Sequence, residues 1–214
     1  MTPSRRQPKL RPKAAFEALA EDPTLGPWVR EIGAPRLPRI QVSNFAYLAR
    51  SIVYQQLAGQ AAATIHGRFV EAVGRDVTPA AVRRAHDDVL RGAGLSRGKL
   101  AAIRDLSERA GDLDLDRLDE LTDEQAEERL TTVRGIGPWT AHMFLIFKLR
   151  RPDVWPVGDL GVRMGYARMH GLSEPLAARE MTSLGEAYRP WRSAAAWYCW
   201  RALETDAPGD PGEG

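Results

Sequence analysis

Cysteine is almost absent from this 214-residue chain, where Cys199 stands alone. One thiol excludes an internal disulfide, and it excludes a four-cysteine zinc or iron–sulfur site as well. No apolar run reaches the roughly 20 residues that a membrane-spanning helix needs. The basic start Met1-Thr2-Pro3-Ser4-Arg5-Arg6 lacks the apolar core of a secretory signal. The expected location is therefore cytoplasmic by default, nucleoid-associated in a bacterium, with no membrane partner. Alternating runs of strand length flanked by hairpin turns are missing, and so is any internal repeat. His66, His86, His142 and His170 form no metal-ligand spacing. Excess charge is scarce too: 30 basic residues against 28 acidic ones leave a net charge of +2. That excludes a binder driven by a highly basic tail, yet permits a local positive face.

What is present has helical period. Phe45, Leu48, Ile52 and Val53 make one apolar stripe, and Ala61, Ile65, Phe69 and Val73 make another. Thr78-Pro79 reads as an N-cap followed by proline at the first helical position. Thr122-Asp-Glu-Gln125 fits a capping box. The pattern predicts an all-α fold of about ten short helices. Residues 1–12, basic and proline-rich, and residues 205–214, rich in Gly, Pro and Asp, are expected to be flexible tails.

The most informative stretch is Leu130-Thr-Thr-Val-Arg-Gly-Ile-Gly-Pro-Trp-Thr-Ala-His142. Gly135 and Gly137 bracket Ile136 between a helix ending near Val133 and one that Pro138 can start. Glycines allow positive φ and let a backbone approach a ligand without an intervening Cβ. The N–H groups opening the next helix, with its dipole, favour a phosphate oxygen. Taken alone, the pattern also fits an ordinary helical corner with glycine at a C-cap. With Leu-x-x-Val before it and Pro-Trp-Thr-Ala after it, the segment resembles the helix–hairpin–helix (HhH-GPD) DNA glycosylase superfamily. The likeness runs from about Phe45 to Leu203 and implies two helical lobes with an interlobe cleft. The domain then spans 13–204, with the second lobe at roughly 76–165 and the hairpin at 130–142.

The resemblance assigns chemistry residue by residue. Asp159, in Trp-Pro-Val-Gly-Asp-Leu-Gly-Val-Arg, reads by itself as an N-cap. Twenty-odd residues after the hairpin is also where the superfamily carries its catalytic aspartate. An N-alkylated purine is cationic, so its glycosidic bond is already weakened. A carboxylate in a partly dry site can stabilise the oxocarbenium-like sugar and assist water at C1′. Bifunctional relatives carry a Schiff-base lysine two residues after the second glycine. Here that residue is Trp139, which implies a monofunctional hydrolase and resembles the alkyladenine branch (DNA-3-methyladenine glycosylase II type).

Trp139 and Trp200 are the expected aromatic walls of the base pocket. Trp200 stands nine residues after Trp191 in Arg189-Pro-Trp-Arg-Ser, which is similar to the branch's last helix. Met143 replaces a tyrosine of the best-known member and suggests a wider pocket. An aromatic face attracts a cationic base by about 0.5–2 kcal/mol. Trp28 and Trp155 read as core, and core packing also accounts for Trp191 and Trp197. The segment Tyr54-Gln-Gln-Leu57 resembles the region that supplies the plug filling the gap left by a flipped nucleotide. Gln56 is the first choice and Leu57 the second.

Arg97 and Lys99, in Gly-Leu-Ser-Arg-Gly-Lys, are the expected phosphate contacts beside Gly135 and Gly137. Lys148, Arg150 and Arg151 are explained equally well as cations at a helix end. In relatives the hairpin's carbonyls can hold a monovalent cation (Na+ or K+). The corresponding backbone positions are Thr131, Val133 and Ile136, and no other cofactor or iron–sulfur cluster is implied.

The expectation is a monomeric glycosylase acting on double-stranded DNA with damaged bases, in the compact form lacking the relatives' N-terminal β domain. Its substrates would be 3-methyladenine and 7-methylguanine, with 1-methyladenine and 3-methylcytosine as further candidates. Two alternatives stay open: a non-catalytic helix–hairpin–helix DNA-binding protein, and a glycosylase for deaminated or oxidised bases.

Overall fold

A computed structural model describes residues 6–208. Among them there is no strand, and twelve α-helices alternate with short 3₁₀ and π turns. No helix among the described residues is long and apolar enough to cross a membrane. Two compact units divide the chain.

The first unit takes Ile40–Phe144 together with the stretch ending at Gln7. It holds α3 (Asn44–Tyr54), α4 (Gly59–Ala72), α5 (Pro79–Arg84), α6 (Asp87–Gly92), α7 (Arg97–Arg109), α8 (Asp123–Thr131) and α9 (Pro138–Met143). The helices start where the sequence can cap them. The Ser43 hydroxyl accepts from the Ala46 N–H and that of Thr78 from the Ala81 N–H. Thr122 and Gln125 complete a reciprocal capping box. Such caps supply partners for N–H groups that a helix start leaves unpaired. Phe45, Leu48, Ile52 and Val53 are all buried, as their spacing predicts. On α4 the buried face runs through Ala62, Phe69 and Val73 instead, with Ala61 exposed. The apolar stripe begins one residue later than expected.

The second unit joins Pro8–Arg39 to the segment from Leu145 onward. It holds α1 (Pro12–Leu19), α2 (Leu25–Ile32), α10 (Leu160–Met169), α11 (Ala178–Leu184) and α12 (Arg192–Ala202). Trp28, Trp155, Tyr166, Met181 and Tyr198 fill its core. The Tyr198 hydroxyl donates to the Gly33 carbonyl at 2.9 Å and the Trp155 indole to the Met181 carbonyl at 2.7 Å. Both polar groups are thereby satisfied. The α10–α12 pair packs unusually closely at Gly165. A Cβ there would sit 1.9 Å from the Cys199 carbonyl oxygen, so only glycine admits this approach.

These boundaries differ from the expected second lobe at 76–165. The chain leaves the second unit after Arg39 and returns to it at Leu145, a discontinuity that no local composition marks. The tails differ as well. Leu10 is buried, Gln7 donates its N–H to the Asp119 carbonyl at 2.9 Å, and Arg6 pairs with Asp119 at 3.1 Å. At the other end the Thr205 carbonyl accepts from Arg168 at 3.0 Å. Where flexible tails were expected, Arg6, Gln7, Leu10 and Thr205 are held by these contacts. The remainder, 1–5 and 209–214, lies outside the described residues.

Candidate active site

Asp159 follows a turn in which its own N–H donates to the Pro156 carbonyl at 2.9 Å, and it caps α10. Its Oδ1 accepts from the Val162 N–H at 2.8 Å and from the Trp200 indole Nε1–H, also at 2.8 Å. The residue is only 9% exposed. The N-cap reading of the sequence therefore holds, and the side chain is in addition locked by an aromatic residue on α12. Trp200 is itself stacked on Phe147, with ring centroids 5.5 Å apart and planes 28° from parallel. Gly161 makes this fit possible, since a Cβ at that position would stand 2.9 Å from Trp200 Cδ1. Beside them, the Cys199 thiol is fully buried. Burial pushes its pKa up and the Asp159 charge adds to the effect, leaving it an inert apolar filler.

In the first unit, the glycine hairpin and the turn after α3 form one pocket of about 420 Å³, lined by Tyr54, Gln55, Gln56, Gly135, Gly137 and Trp139 among others. Gly135 has φ +77°, and its missing Cβ lets the turn approach the Ala102 side chain. Gly137 has an ordinary φ of −98°, and a Cβ there would meet open space. The two glycines thus differ: the first makes the turn, and the second lines the pocket at a place with room for a side chain. Ile136 is buried and its N–H donates to the Val133 carbonyl at 3.0 Å. Trp139 is 48% exposed at the start of α9. Gln56 has a left-handed φ of +55° and is exposed at the tip of its turn, with Leu57 beside it 37% exposed.

Two expected residues, Met143 and Lys99, sit in less open surroundings. Met143 is half-buried, and its carbonyl accepts from the Tyr47 hydroxyl at 3.5 Å. Lys99 directs Nζ onto the Val53 carbonyl at 2.8 Å, closing the C-terminal end of α3, and burial lowers its pKa. An ammonium has three donors, so this bond leaves capacity for a phosphate but places the charge at a helix end. Arg97 is exposed as the first residue of α7. The carbonyl-bearing positions Thr131, Val133 and Ile136 lie along the hairpin and the helix end before it. Among the described residues no cluster of three acidic, histidine or cysteine side chains could hold a metal ion.

Two side chains that sequence reasoning passed over hold the hairpin. Asp105, on α7, accepts the Arg134 N–H at 2.7 Å, and this bond holds its carboxyl below the usual range. Gln55 donates Nε2 to the Gly135 carbonyl at 2.8 Å. Both partners are backbone atoms far along the chain, so no local pattern announces them.

Comparison with known proteins follows the same lines. The model of the HhH-GPD superfamily base excision DNA repair protein matches residues 49–190. The chain is 35% identical to DNA-3-methyladenine glycosylase 1 of Schizosaccharomyces pombe over 159 residues, 72% of this chain and 70% of the relative. A solved 3-methyladenine DNA glycosylase of that yeast, in complex with abasic DNA, superposes with a TM-score of 0.79 at 30% identity, covering 90% of this chain and 97% of that one. The crystal structure of a DNA-3-methyladenine glycosidase from Bacillus halodurans gives a TM-score of 0.82 at 35% identity, covering 91% and 90%. A probable bifunctional transcriptional activator/DNA repair enzyme of Mycobacterium tuberculosis is 34% identical over 90% of this chain, which spans only 40% of that relative's length.

Proposed function

The chain belongs to the HhH-GPD superfamily of base excision DNA repair proteins, and from that membership we propose that it is a monofunctional DNA glycosylase for alkylated bases. It binds double-stranded DNA, turns the damaged nucleotide out of the stack and hydrolyses its N-glycosidic bond. The substrate class is the cationic N-alkylated bases, 3-methyladenine and 7-methylguanine first, with 1-methyladenine and 3-methylcytosine as candidates. The work is done wherever the chromosome lies, in the cytoplasm of a bacterium.

One observation carries the reading: Asp159 is nearly buried and pinned through Oδ1 by Val162 N–H and Trp200 Nε1–H. A carboxylate fixed before substrate arrives needs no reorganisation when positive charge develops on the sugar. It stabilises the oxocarbenium-like cation and orients water toward C1′. Because an alkylated base leaves as a neutral molecule, strong general-acid assistance is unnecessary. Trp139 and Trp200 each offer an electron-rich face of the kind that favours a cationic base, and Met143 would be a less aromatic contact than a tyrosine. Trp139 occupies the place of the lyase lysine, so no imine with the sugar forms and the strand is not nicked.

The hairpin N–H groups around Gly135 and Gly137, with Arg97 and Lys99, hold backbone phosphate. Gln56, or Leu57 beside it, fills the vacated base site, consistent with their exposure at the turn tip. A monovalent cation fits the carbonyls of Thr131, Val133 and Ile136. The Val133 oxygen accepts one N–H and retains a second lone pair. Such an ion would add positive charge beside the phosphate.

The test is release of labelled base from methylated duplex DNA, with strand breaks appearing only after alkali. Asp159→Asn should slow release by about 100-fold or more while binding of abasic duplex persists. Unchanged release in that variant would support another catalytic group, and no release by the wild-type chain from any lesion would leave only a DNA-binding protein. Hypoxanthine and oxidised bases in the same panel decide the alternative lesion classes.

A further inference from the structure

The carboxamide of Gln55 joins two elements that the proposed reaction uses separately. Gln55 immediately precedes the exposed turn bearing Gln56 and Leu57. Its Nε2 lies 2.8 Å from the Gly135 carbonyl oxygen and 3.3 Å from the Thr140 hydroxyl. The turn it introduces is strained, for Gln56 adopts φ +55°, a left-handed region that L-residues other than glycine seldom occupy. The turn's own backbone does little to hold it, since the Leu57 N–H reaches the Tyr54 carbonyl only at 3.4 Å. Strain of this kind persists where surrounding structure over-determines it. Lys99 fixes the end of α3 through the Val53 carbonyl, and Gln55 reaches across to the hairpin.

The peptide unit that Gln55 grips cannot easily turn away. Its carbonyl belongs to Gly135 and its N–H to Ile136, and that N–H donates to the Val133 carbonyl at 3.0 Å. Held at both ends, the unit transmits position between the hairpin and the turn.

We propose that Gln55 is a positioning residue that sets the Gln56-Leu57 turn at a fixed height relative to the phosphate-gripping hairpin, so that gripping the backbone and filling the empty base site become one event. This rests on the reading of Gln56 or Leu57 as the plug. A duplex with an empty base site then gains from both elements together, whereas an undamaged duplex engages the hairpin alone.

The test measures binding of the full chain to two duplexes, one carrying a tetrahydrofuran abasic analogue and one undamaged, and reads the ratio of affinities. Gln55→Met preserves side-chain length but removes the donor. It should lower the preference for the abasic duplex about fivefold, the effect of losing one ordinary hydrogen bond. Gln55→Asn, one methylene too short to reach Gly135, should do the same. In a chain already bearing Gln56→Ala and Leu57→Ala, Gln55→Met should change the ratio no further, the signature of residues acting as a unit. The same fivefold loss in that truncated background, or a wild-type ratio in Gln55→Asn, overturns the proposal. Melting temperatures separate a folding defect from lost coupling, and Gln55→Asn carries the cycle if Gln55→Met does not fold. Base release by the wild-type chain is read alongside. Its absence would sink the excision reading, while the affinity ratios still decide the coupling.

Discussion

Replacing Gly161 with alanine probes the acid and its aromatic partner without touching either. A methyl group there would stand 2.9 Å from Trp200 Cδ1, 3.1 Å from Asp159 Oδ1 and 3.2 Å from Trp200 Nε1. Favourable carbon–carbon contact begins at about 3.5 Å, so the indole must give way. The ring is also stacked on Phe147, and a displaced indole is expected to lose the 2.8 Å geometry of its Nε1 bond to the carboxylate. A hydrogen bond to a charged group is worth about 1.5–3 kcal/mol. Expressed fully in the transition state, its loss slows the chemical step about 10- to 100-fold. The assay is single-turnover release of 7-methylguanine from duplex DNA with enzyme in excess, with abasic-duplex affinity measured in parallel. The rate should fall while that affinity changes little. Alanine is the better helix former by up to about 1 kcal/mol, which offsets part of the overpacking, so the melting temperature should fall only modestly. A Gly161→Ala enzyme working at the wild-type rate would refute the idea that the indole–carboxylate bond prepares Asp159 for catalysis.

Further outcomes follow from the helix pair and the hairpin. Gly165→Ala would set a Cβ 1.9 Å from the Cys199 carbonyl oxygen and 2.7 Å from its Cα. Backbone atoms cannot rotate aside, so α10 and α12 must separate, at a cost of about 3 kcal/mol or more in urea unfolding. A loss below about 1 kcal/mol, typical of tolerated core exchanges, would show that the close approach is dispensable. Asp105→Asn tests the hairpin's hold as a function of pH. The Arg134 N–H depresses the carboxyl's pKa in the folded chain, so the folded state binds protons less readily there than the unfolded state. Its stabilisation is full above the unfolded carboxylate value of about 3.9 and disappears as pH falls through the lower folded value. Melting curves of wild type and Asp105→Asn should differ at neutral pH and converge under acid. A difference that stayed constant down to low pH would assign the effect to packing instead.

The parts of the site built from neighbouring residues could be read directly. The Thr122 capping box, the Thr78 cap and the Asp159 cap each rest on side chains three residues from their partners, and spacing alone discloses such bonds. Gly135 needed its left-handed φ, as a turn glycine should. Gly137 did not, and its place in the pocket lining emerges only from the structure around it. Gln55 and Asp105 were invisible because their partners lie 80 and 29 residues away and are backbone atoms. For Lys99 the charge is visible in sequence while its direction is not. The bond from its ammonium to Val53 spans 46 residues. Composition likewise concealed the return of the chain at Leu145 to a unit begun before Arg39.

That return imposes an order on biosynthesis. Chains emerge from the ribosome N-terminus first, and domains generally fold as units once complete. The hairpin and its turn belong to a unit whose main segment, Ile40–Phe144, is contiguous. The unit carrying the acid is split, with Tyr198 meeting Gly33 across 165 residues. α1 and α2 must therefore wait while the whole intervening segment is made. Asp159 in turn gains its indole partner only after a further 41 residues. During synthesis the nascent protein can assemble its glycine hairpin well before the Asp159 carboxylate is locked, so on the proposed reading hydrolytic competence comes last.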